Sequence, residues 1–456
     1  MIFKGSYRDN KARIIVEDKK IFREIYFEGK SEYDNILLSK VINEKILRNE
    51  FINFKEIERP KRDGLYKTIE HPRLQHISYP YEWCFEQLKT AAIFNLNLQI
   101  DLLREGNNLK DGSAFNIQFN GTKPIFIDFM SVEKFNPKIS WPGYTQFCEQ
   151  FLYPLMIQSK SGLNVNEIFK GNLEGIPLNT TFEILNKFKN YFDTKFLFHV
   201  LLLNLINKKI KKNKTGYKVK EISRSADNLI YQLNNLKDYI SRLKHKTQKT
   251  VWTDYSIDNF YEDETEKIKE DFLVDVLQNE KFDTVCDLGC NDGRYSIIAS
   301  KFVGNTVVSL DNDIDAINSC YLKAKKNNLK ILNLQIDITN PSSSCGWFEN
   351  ERESFKQRFN FDLMLNFAVI HHIVIGKNVP IESYIEYLCS ISKNIILEFV
   401  PKNDEAIKTM LLNREDIFKD YNEENLKNIF RINNLNILKE KNVTKSGRKL
   451  FYLKKD

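Results

Sequence analysis

The C-terminal half of the chain alternates short apolar runs with segments in which apolar residues recur every three to four positions. The apolar runs near residues 285, 308, 334, 365 and 397 predict buried strands, and the segments between them predict helices. Alternation of this kind is typical of a parallel sheet with helices on both faces. Residues 437–443 and 449–453 then predict an antiparallel hairpin. We therefore expect an α/β domain over residues 250–456, with a doubly wound sheet closed by a hairpin.

The N-terminal half combines short β-like runs with longer helical periodicities. Residues 12–16 and 21–27 predict strands, and Asn120 and Gly121 between two alternating runs predict a tight hairpin. Helices are predicted over residues 31–48, 81–106, 143–158, 182–205 and 227–243. This mixture predicts an α+β domain over residues 1–245. We expect this domain to have an accessory or substrate-recognition role.

Composition is that of a soluble globular protein. Of the 456 residues, 42% are hydrophobic and 28% are charged, which predicts two or three domains. The chain has no run of about 18 apolar residues, so we expect no membrane span. The seven cysteines form no Cys-x-x-Cys pair and only six histidines are present. We therefore expect no zinc site, reduced thiols and a cytoplasmic location.

The net charge of +7 comes from one segment. Residues 207–220 contain seven lysines and no acid, so the rest of the chain is nearly neutral. A solvated loop accounts for such a run, and so does a surface that contacts nucleic acid or an acidic substrate. No RNA-binding module accompanies it, so the support for a nucleic-acid partner is weak.

The most informative stretch is residues 285–295, Val-Cys-Asp-Leu-Gly-Cys-Asn-Asp-Gly-Arg-Tyr. It predicts a buried strand, a turn containing Gly289 and Gly293, and a helix. A second buried strand then ends at Asp311. Glycines let the backbone approach a nucleoside, and an acid after the second strand accepts from ribose hydroxyls. The Gly-x-Gly-x-x-Gly pattern of dehydrogenases is absent. An alternative to a nucleoside site is that these acids only cap the strand ends of another kind of α/β protein.

The spacing of Asp287, Gly289 and Gly293 resembles motif I of class I S-adenosylmethionine (SAM) methyltransferases. That resemblance implies a Rossmann-like fold with SAM as cofactor. It implies that Asp287 organises the turn near the methionine moiety, that Asp311 binds the ribose, and that Asp337 binds the adenine amine. Asn291 stands where the family usually has its middle glycine, and Asn tolerates left-handed backbone better than most residues. The cofactor-binding residues predicted in this way are Asp287, Gly289, Asn291, Gly293, Asp311, Asn312, Asp337, Ile338 and Asn366.

Three residues are candidates for proton removal from an acceptor. His371 and His372 follow the fourth predicted strand, and Glu398 ends the fifth. Ligands of open α/β sheets bind beyond the carboxyl ends of the strands, where these residues are expected. Histidine suits proton removal near neutral pH. Shaping of the pocket is the alternative role for the two histidines.

The N-terminal half contains a second pattern, Asp111 followed by Asn116 and then by Asp128 after an apolar strand. It resembles the catalytic loop and metal-binding Asp of kinase-like phosphotransferases. The resemblance implies that Asp111 is the base and that Asn116 and Asp128 hold Mg²⁺. A Gly-rich phosphate loop is lacking. A polar hairpin without chemistry, or a degenerate lobe that recognises substrate, fits as well.

The whole chain resembles a group of bacterial methyltransferases related to a rhizobial nodulation protein. The similar stretches are residues 77–83, 109–129, 143–148, 287–293, 371–376, 398–402 and 414–418. The resemblance implies SAM-dependent methylation of an acceptor that it does not identify. A small molecule or a glycan hydroxyl is our preferred acceptor. A bifunctional kinase–methyltransferase, an RNA methyltransferase and a non-catalytic SAM-binding protein are the alternatives.

Overall fold

The computed structural model describes residues 6, 9–60, 62–212, 225–247 and 263–456. The chain divides into two compact units. The first contains Met1–Gln248 together with Ser344–Arg352, and the second contains Lys249–Ser343 and Glu353–Asp456. Ser344–Arg352 thus groups with the first unit, although it lies within the predicted domain 250–456.

The first unit begins with a four-stranded antiparallel sheet in the order β1-β2-β4-β3. These elements are β1 Ala12–Glu17, β2 Lys20–Tyr26, α1 Lys30–Leu38, α2 Lys40–Leu47, β3 Lys55–Ile57 and β4 Leu65–His71. The single helix predicted over residues 31–48 is wrong. Ser39 has extended backbone, and its side chain accepts from the Ile42 amide, so it ends α1 and caps α2.

The rest of the first unit is mainly helical. Its elements are α3 Phe85–Arg104, β5 Asn107–Leu109, β6 Ile117–Asn120, β7 Lys123–Phe126, β8 Val132–Lys134, α4 Tyr144–Phe147, α5 Tyr153–Ser161, α6 Asn166–Lys170, α7 Leu178–Leu185, α8 Thr194–Phe196, α9 Leu203–Lys212 and α10 Ala226–Arg242. The predicted hairpin is present as β6 and β7, with Gly121 at a φ of +61°. The continuous helix predicted over residues 182–205 is wrong, because residues 186–193 separate α7 from α8 and Asp193 caps α8.

The second unit contains a seven-stranded sheet in the order β11-β10-β9-β12-β13-β15-β14. Its elements are α11 Asp263–Asn279, β9 Thr284–Leu288, α12 Arg294–Ala299, β10 Thr306–Asp311, α13 Ile314–Lys326, β11 Ile331–Gln335, α14 Phe355–Arg358, β12 Phe361–Asn366, α15 Ile370–Lys377, α16 Ile381–Ile391, β13 Ser392–Phe399, α17 Glu405–Leu411, α18 Glu423–Ile432, β14 Leu435–Asn442 and β15 Lys449–Lys455. Strands β9 to β13 are parallel, and β14 and β15 pair antiparallel. The Rossmann-like sheet closed by a hairpin is confirmed, as is the α+β character of the first unit.

Burial explains why the central strands form. Every residue of β9 and β11 is buried, as expected for strands covered on both faces. β9 pairs with β10 on one side and with β12 on the other, so the chain reverses its direction of winding there. The crevice at such a reversal, beyond the carboxyl ends of the strands, is where open α/β sheets bind ligands.

No helix in the described ranges is long and apolar enough to cross a lipid bilayer. All seven cysteines are free thiols. The lysine run over residues 207–220 lies partly outside the described residues, because the structure describes the chain up to residue 212 and again from residue 225.

Candidate cofactor and active site

The loop after β9 has left-handed backbone at three positions. Gly289 has a φ of +69°, Asn291 a φ of +49° and Gly293 a φ of +90°. This conformation costs little in glycine and is tolerated by asparagine. Asn291 therefore takes the left-handed conformation at the place where the motif usually has a glycine.

Two of these positions leave no space for a side chain. A Cβ on Gly289 would lie 2.5 Å from Cγ2 of Val369, in the segment between β12 and α15. A Cβ on Gly293 would lie 2.3 Å from Sγ of Cys320 on α13. The loop thus packs its backbone directly against two neighbouring elements.

Asp287 closes β9 and is almost completely buried. Its Oδ2 accepts from the Ser296 hydroxyl at 2.5 Å, and the Ser309 hydroxyl donates to Ser296 at 2.7 Å. Burial raises the pKa of Asp287 to about 7, against the opposing effect of the Ser296 hydrogen bonds. This chain of hydroxyl groups fixes the carboxylate and ties β9, α12 and β10 together.

Asp311 ends β10, next to the loop. Its Oδ2 accepts from the Asn291 amide at 2.7 Å and its Oδ1 from the Asp313 amide at 2.8 Å. Burial raises the pKa of Asp311 to about 6, while these backbone hydrogen bonds act in the opposite direction. The Asn312 amide also acts on this carboxylate. A carboxylate accepts about four hydrogen bonds, so the oriented group keeps capacity for a hydroxyl donor. Asn312, the next residue, is exposed.

Asp337 lies two positions beyond the end of β11 and is half-buried, as is Ile338. Its Oδ1 accepts from the Thr339 amide at 2.8 Å and from the Thr339 hydroxyl at 2.6 Å. Its Oδ2 lies 3.6 Å from the Lys377 ammonium. Asp337 is therefore held in place by both of its oxygens at the same edge of the sheet.

The segment after β12 contains unsatisfied polar groups and a strained residue. Asn366 is fully buried and donates to the Tyr384 hydroxyl, but its Oδ1 has no hydrogen-bond partner within the described ranges. Ala368 has a φ of +53°, which is unfavourable for a residue with a Cβ and is a feature that clusters at functional sites. The Nδ1 atom of His371, which is also buried, likewise has no partner among the described atoms.

His371 and His372 lie at the start of α15 with ring centroids 4.0 Å apart. Burial lowers the pKa of His371 well below its usual value, and the charges of His372, Arg448 and Lys269 act in the same direction. Burial and Arg448 lower the pKa of His372 to about 4. Both imidazoles are therefore neutral near pH 7, which is the form that accepts a proton.

Glu398 ends β13 and has no exposed surface. Its Oε2 lies 3.0 Å from the Lys269 ammonium, and its Oε1 lies 3.5 Å from the Arg448 guanidinium. Arg448 also contacts both oxygens of Asp404, at 2.6 and 2.7 Å. The two oxygens of Glu398 already face two buried cations, so this pairing favours a structural role over the predicted role of base.

The carboxyl edge of the sheet brings the residues predicted from five separate strands into one region. Three of these places are in direct contact, through the Asn291 amide with Asp311, the Gly289 amide with the Leu310 carbonyl at 2.8 Å, and the packing of Gly289 against Val369. Sequence reasoning missed Lys269, because it lies on a helix with an ordinary amphipathic pattern. It also missed Arg448, because no spacing signal links the terminal hairpin to Glu398.

The side chains and backbone of this region have the chemistry that binding of SAM requires. Asp311 offers an oriented acceptor for ribose hydroxyls, and Gly289 and Gly293 let the backbone come close to a ligand. The unpartnered Asn366 Oδ1 can accept from an amino group, and the unpartnered His371 Nδ1 can accept a proton. Unsatisfied buried polar atoms are costly, and a ligand that pairs with them removes the cost.

The kinase-like residues also come together, in the first unit. The Asn116 amide lies 3.4 Å from Oδ2 of Asp128, and the buried Arg23 guanidinium lies 3.6 Å from Oδ1 of Asp128. Burial is the main cause that raises the pKa of Asp111, and the negative charge of Asp128 raises it further. Among the described residues, no group of three or more His, Cys, Asp or Glu side chains is placed to hold a metal ion.

The methyltransferase small domain family matches residues 261–345. The nodulation protein NoeA of Rhizobium meliloti (strain 1021) is 33% identical over 432 residues, which cover 92% of this chain and 89% of that protein. Among solved structures, magnesium protoporphyrin IX methyltransferase (ChlM) from Synechocystis PCC 6803 with bound SAM aligns over 48% of this chain and 90% of its own, at 17% identity and a TM-score of 0.30. The bifunctional kinase-methyltransferase WbdD aligns over 42% of this chain and 38% of its own, at 20% identity and a TM-score of 0.29.

The similarities to these two solved structures are too low to support a conclusion about activity or substrate. The match to the methyltransferase small domain covers the part of the chain that contains the Asp287 loop, Asp311 and Asp337. The similarity to NoeA extends over nearly the whole length of both proteins. The chain therefore belongs to the family of the nodulation protein NoeA and is a SAM-dependent methyltransferase.

Proposed function

We propose that the carboxyl edge of the β9–β13 sheet binds SAM and transfers its methyl group to a hydroxyl of a small molecule or glycan. The single observation that carries the proposal is the contact between the Asn291 amide and the Asp311 carboxylate. It joins the glycine loop to the acid of the next strand, which are the two parts that a nucleoside site needs. The cofactor supplies a methyl group on an activated sulfonium.

The other predicted residues take roles that follow from their surroundings. Asp311 accepts from the ribose hydroxyls, with Asn312 beside it, and Asp337 with Ile338 lies at the adenine. Asn366 accepts from the methionine amino group through its unpartnered Oδ1. Asp287 acts indirectly, because its Ser296 hydrogen bond holds the start of α12 and thereby the loop.

His371 is the base in this proposal. A hydroxyl is a weak nucleophile, so a base has to take its proton for methylation to proceed. The imidazole of His371 is neutral near pH 7, and its Nδ1 has no competing partner in the described structure. Orientation of acceptor and methyl group in line supplies the rest of the rate acceleration.

Asp311→Asn tests the cofactor site. The substitution keeps the shape but exchanges one acceptor oxygen for a donor and removes the charge, so we expect affinity for SAM to fall by roughly tenfold to a hundredfold. Isothermal titration calorimetry with the full chain measures it. Asp283→Asn is the matched control, because Asp283 is exposed and precedes β9 at the opposite end of that strand. Equal affinity in wild type and Asp311→Asn would remove Asp311 from the site.

The same titration has a predicted pH dependence. The pKa of Asp311 is raised to about 6, so its carboxylate takes up a proton at milder acidity than an ordinary aspartate. Affinity for SAM is therefore expected to fall as the pH drops below about 6, and this loss should be absent in Asp311→Asn.

Phosphotransfer by the first unit is a second candidate, favoured by the proximity of Asn116 to Asp128. The Arg23 guanidinium already compensates the charge of Asp128, so a metal ion would have to compete with it. Hydrolysis or transfer from ATP·Mg²⁺ that is lost in Asp128→Asn would support this activity. A wild-type chain that neither binds nor turns over ATP·Mg²⁺ would dismiss it.

A further inference from the structure

The helix that runs from α8 through Leu197–Leu202 into α9 exposes apolar side chains on the face opposite to its buried one. One face packs into the first unit through Phe196, Val200 and Asn204, which recur at every fourth position and are buried. The opposite face consists of exposed Phe198, Leu202, Leu205 and Ile206. The outer face therefore carries apolar side chains that the packing of the first unit does not use.

Two further aromatic side chains are exposed just before this helix. Phe188 is 81% exposed and Phe192 is 76% exposed, and their rings pack edge to face with centroids 5.4 Å apart. Together with Tyr191, residues 188–206 expose seven large hydrophobic side chains. We refer to residues 187–209 as the apolar–basic surface. Hydrophobic residues exposed in such a concentration mark an interaction site.

The charge of this part of the chain has one sign. Residues 184–220 contain ten lysines and a single acid, Asp193. Asp193 forms an ion pair with Lys160 and accepts from the Tyr239 hydroxyl at 2.9 Å, so its charge is compensated. The lysines of the apolar–basic surface that are themselves exposed are Lys187, Lys189, Lys208 and Lys209. The occupant of the surface must therefore be anionic as well as apolar.

We propose that the apolar–basic surface docks on an anionic lipid bilayer. Exposed phenylalanine and aliphatic side chains next to lysines are what an interfacial segment needs, since the apolar groups enter the acyl boundary and the ammonium groups meet the phosphates. RNA fits less well, because Leu202, Leu205 and Ile206 offer it neither charge nor an aromatic face. The chain rests on the bilayer from one side, and the docking is independent of the methyltransferase chemistry.

Sedimentation with lipid vesicles tests the proposal. The full-length chain is mixed with vesicles of phosphatidylcholine alone, or of phosphatidylcholine and phosphatidylglycerol at about two to one. We expect binding to the anionic vesicles only, and weaker binding as NaCl is raised, because salt screens the lysine contribution. No binding of the wild-type chain to the anionic vesicles would overturn the proposal.

Paired variants distinguish binding through this surface from non-specific adsorption of the protein to vesicles. Phe188→Ser/Phe192→Ser is expected to weaken vesicle binding at least about tenfold, because two large apolar groups no longer leave water. The matched control is Leu38→Ser/Leu47→Ser, whose side chains are 81% and 83% exposed elsewhere in the first unit. Lys187→Glu/Lys189→Glu should also lose binding, whereas Lys123→Glu/Lys138→Glu, exposed elsewhere in the same unit, should not.

Two outcomes besides absence of binding would contradict the proposal. Equal loss in the control pairs would show that the surface has no special role. A dimer in light scattering that Phe188→Ser/Phe192→Ser dissociates, without vesicle binding, would assign the surface to a second copy of the chain. Because all the substituted residues are exposed, circular dichroism should show unchanged folding.

Discussion

His371 lies shortly after β12 and Glu398 lies near the end of β13, both at the carboxyl edge of the sheet. Their surroundings differ. The Nδ1 atom of His371 has no partner in the described structure, while both oxygens of Glu398 face cations. Removing one cation from such a buried group would cost about 3–5 kcal/mol of stability. At the scale of the residue, these surroundings support our proposal that His371 is the base, and they favour a structural role for Glu398.

His371→Asn is expected to lower the methyl transfer rate by about a hundredfold to ten-thousandfold, because the acceptor proton then has no base. Its affinity for SAM should be unchanged. Transfer of labelled methyl groups from SAM to fractions of a cell extract measures the rate. His372→Asn is the control, and similar losses in both variants would contradict the assignment of His371.

The pH profile gives an independent readout. The neutral form of His371 is the active one and its pKa is lowered, so the rate should hold as the pH falls to about 6.5 and decline only below that value. A rate that already falls between pH 8 and 7 would exclude a buried histidine as the base.

The loop between β9 and α12 is the element on which the proposed cofactor site depends. Its left-handed residues turn the chain sharply at the end of a buried strand. Its close contacts with Val369 and Cys320 mean that the turn also fixes the distance to the neighbouring elements. The glycines are therefore needed for packing as well as for backbone conformation.

Gly293→Ala should lower the free energy of unfolding by about 2–4 kcal/mol, from left-handed strain and from the clash with the Cys320 sulfur. Gly447→Ala is the matched control. Its φ is +97°, but the nearest atom to an added Cβ is 3.6 Å away, so only the strain of about 1–2 kcal/mol applies. Denaturant unfolding measures both. Cys320→Ala in the Gly293→Ala background should recover part of the loss, and no recovery would refute the clash.

At the scale of the whole molecule, the chain leaves the second unit at Ser343 and returns at Glu353. The segment between is closed by backbone pairing of Cys345 with Arg352. The Arg352 guanidinium lies over the Phe115 ring at 4.2 Å, and Phe115 belongs to the same unit as the segment. Arg352 thus contributes to holding a segment whose two ends are covalently joined to the other unit.

Arg352→Ala is expected to raise the rate of proteolytic cleavage within residues 344–352 by about fivefold, since a cation–π contact contributes about 1 kcal/mol. Limited proteolysis followed by mass spectrometry measures the rate. Arg358→Ala is the control, because Arg358 lies over Phe359, its immediate neighbour in sequence. A cleavage rate that is unchanged in Arg352→Ala would show that the cation–π contact does not hold the segment.

The sequence by itself determined the local elements whose patterns are complete within a few residues. The strand–loop–helix unit around Asp287, the terminal hairpin and the left-handed Asn291 follow from local hydrophobicity and backbone preference. Predictions from local patterns failed where a capping residue interrupts a helical periodicity, as at Ser39. They also failed where a strand is short, as in β3.

Only the tertiary structure decided which distant side chains meet. Glu398 lies far along the chain from Lys269 and Arg448, and no periodicity encodes that pairing. The same holds for Arg23 beside Asp128, for Ser344–Arg352 in the first unit, and for the outer face of the helix that ends in α9. The physical reason is that propensity and amphipathicity act over one or two turns, whereas ion pairing and burial depend on which surfaces the completed fold brings together.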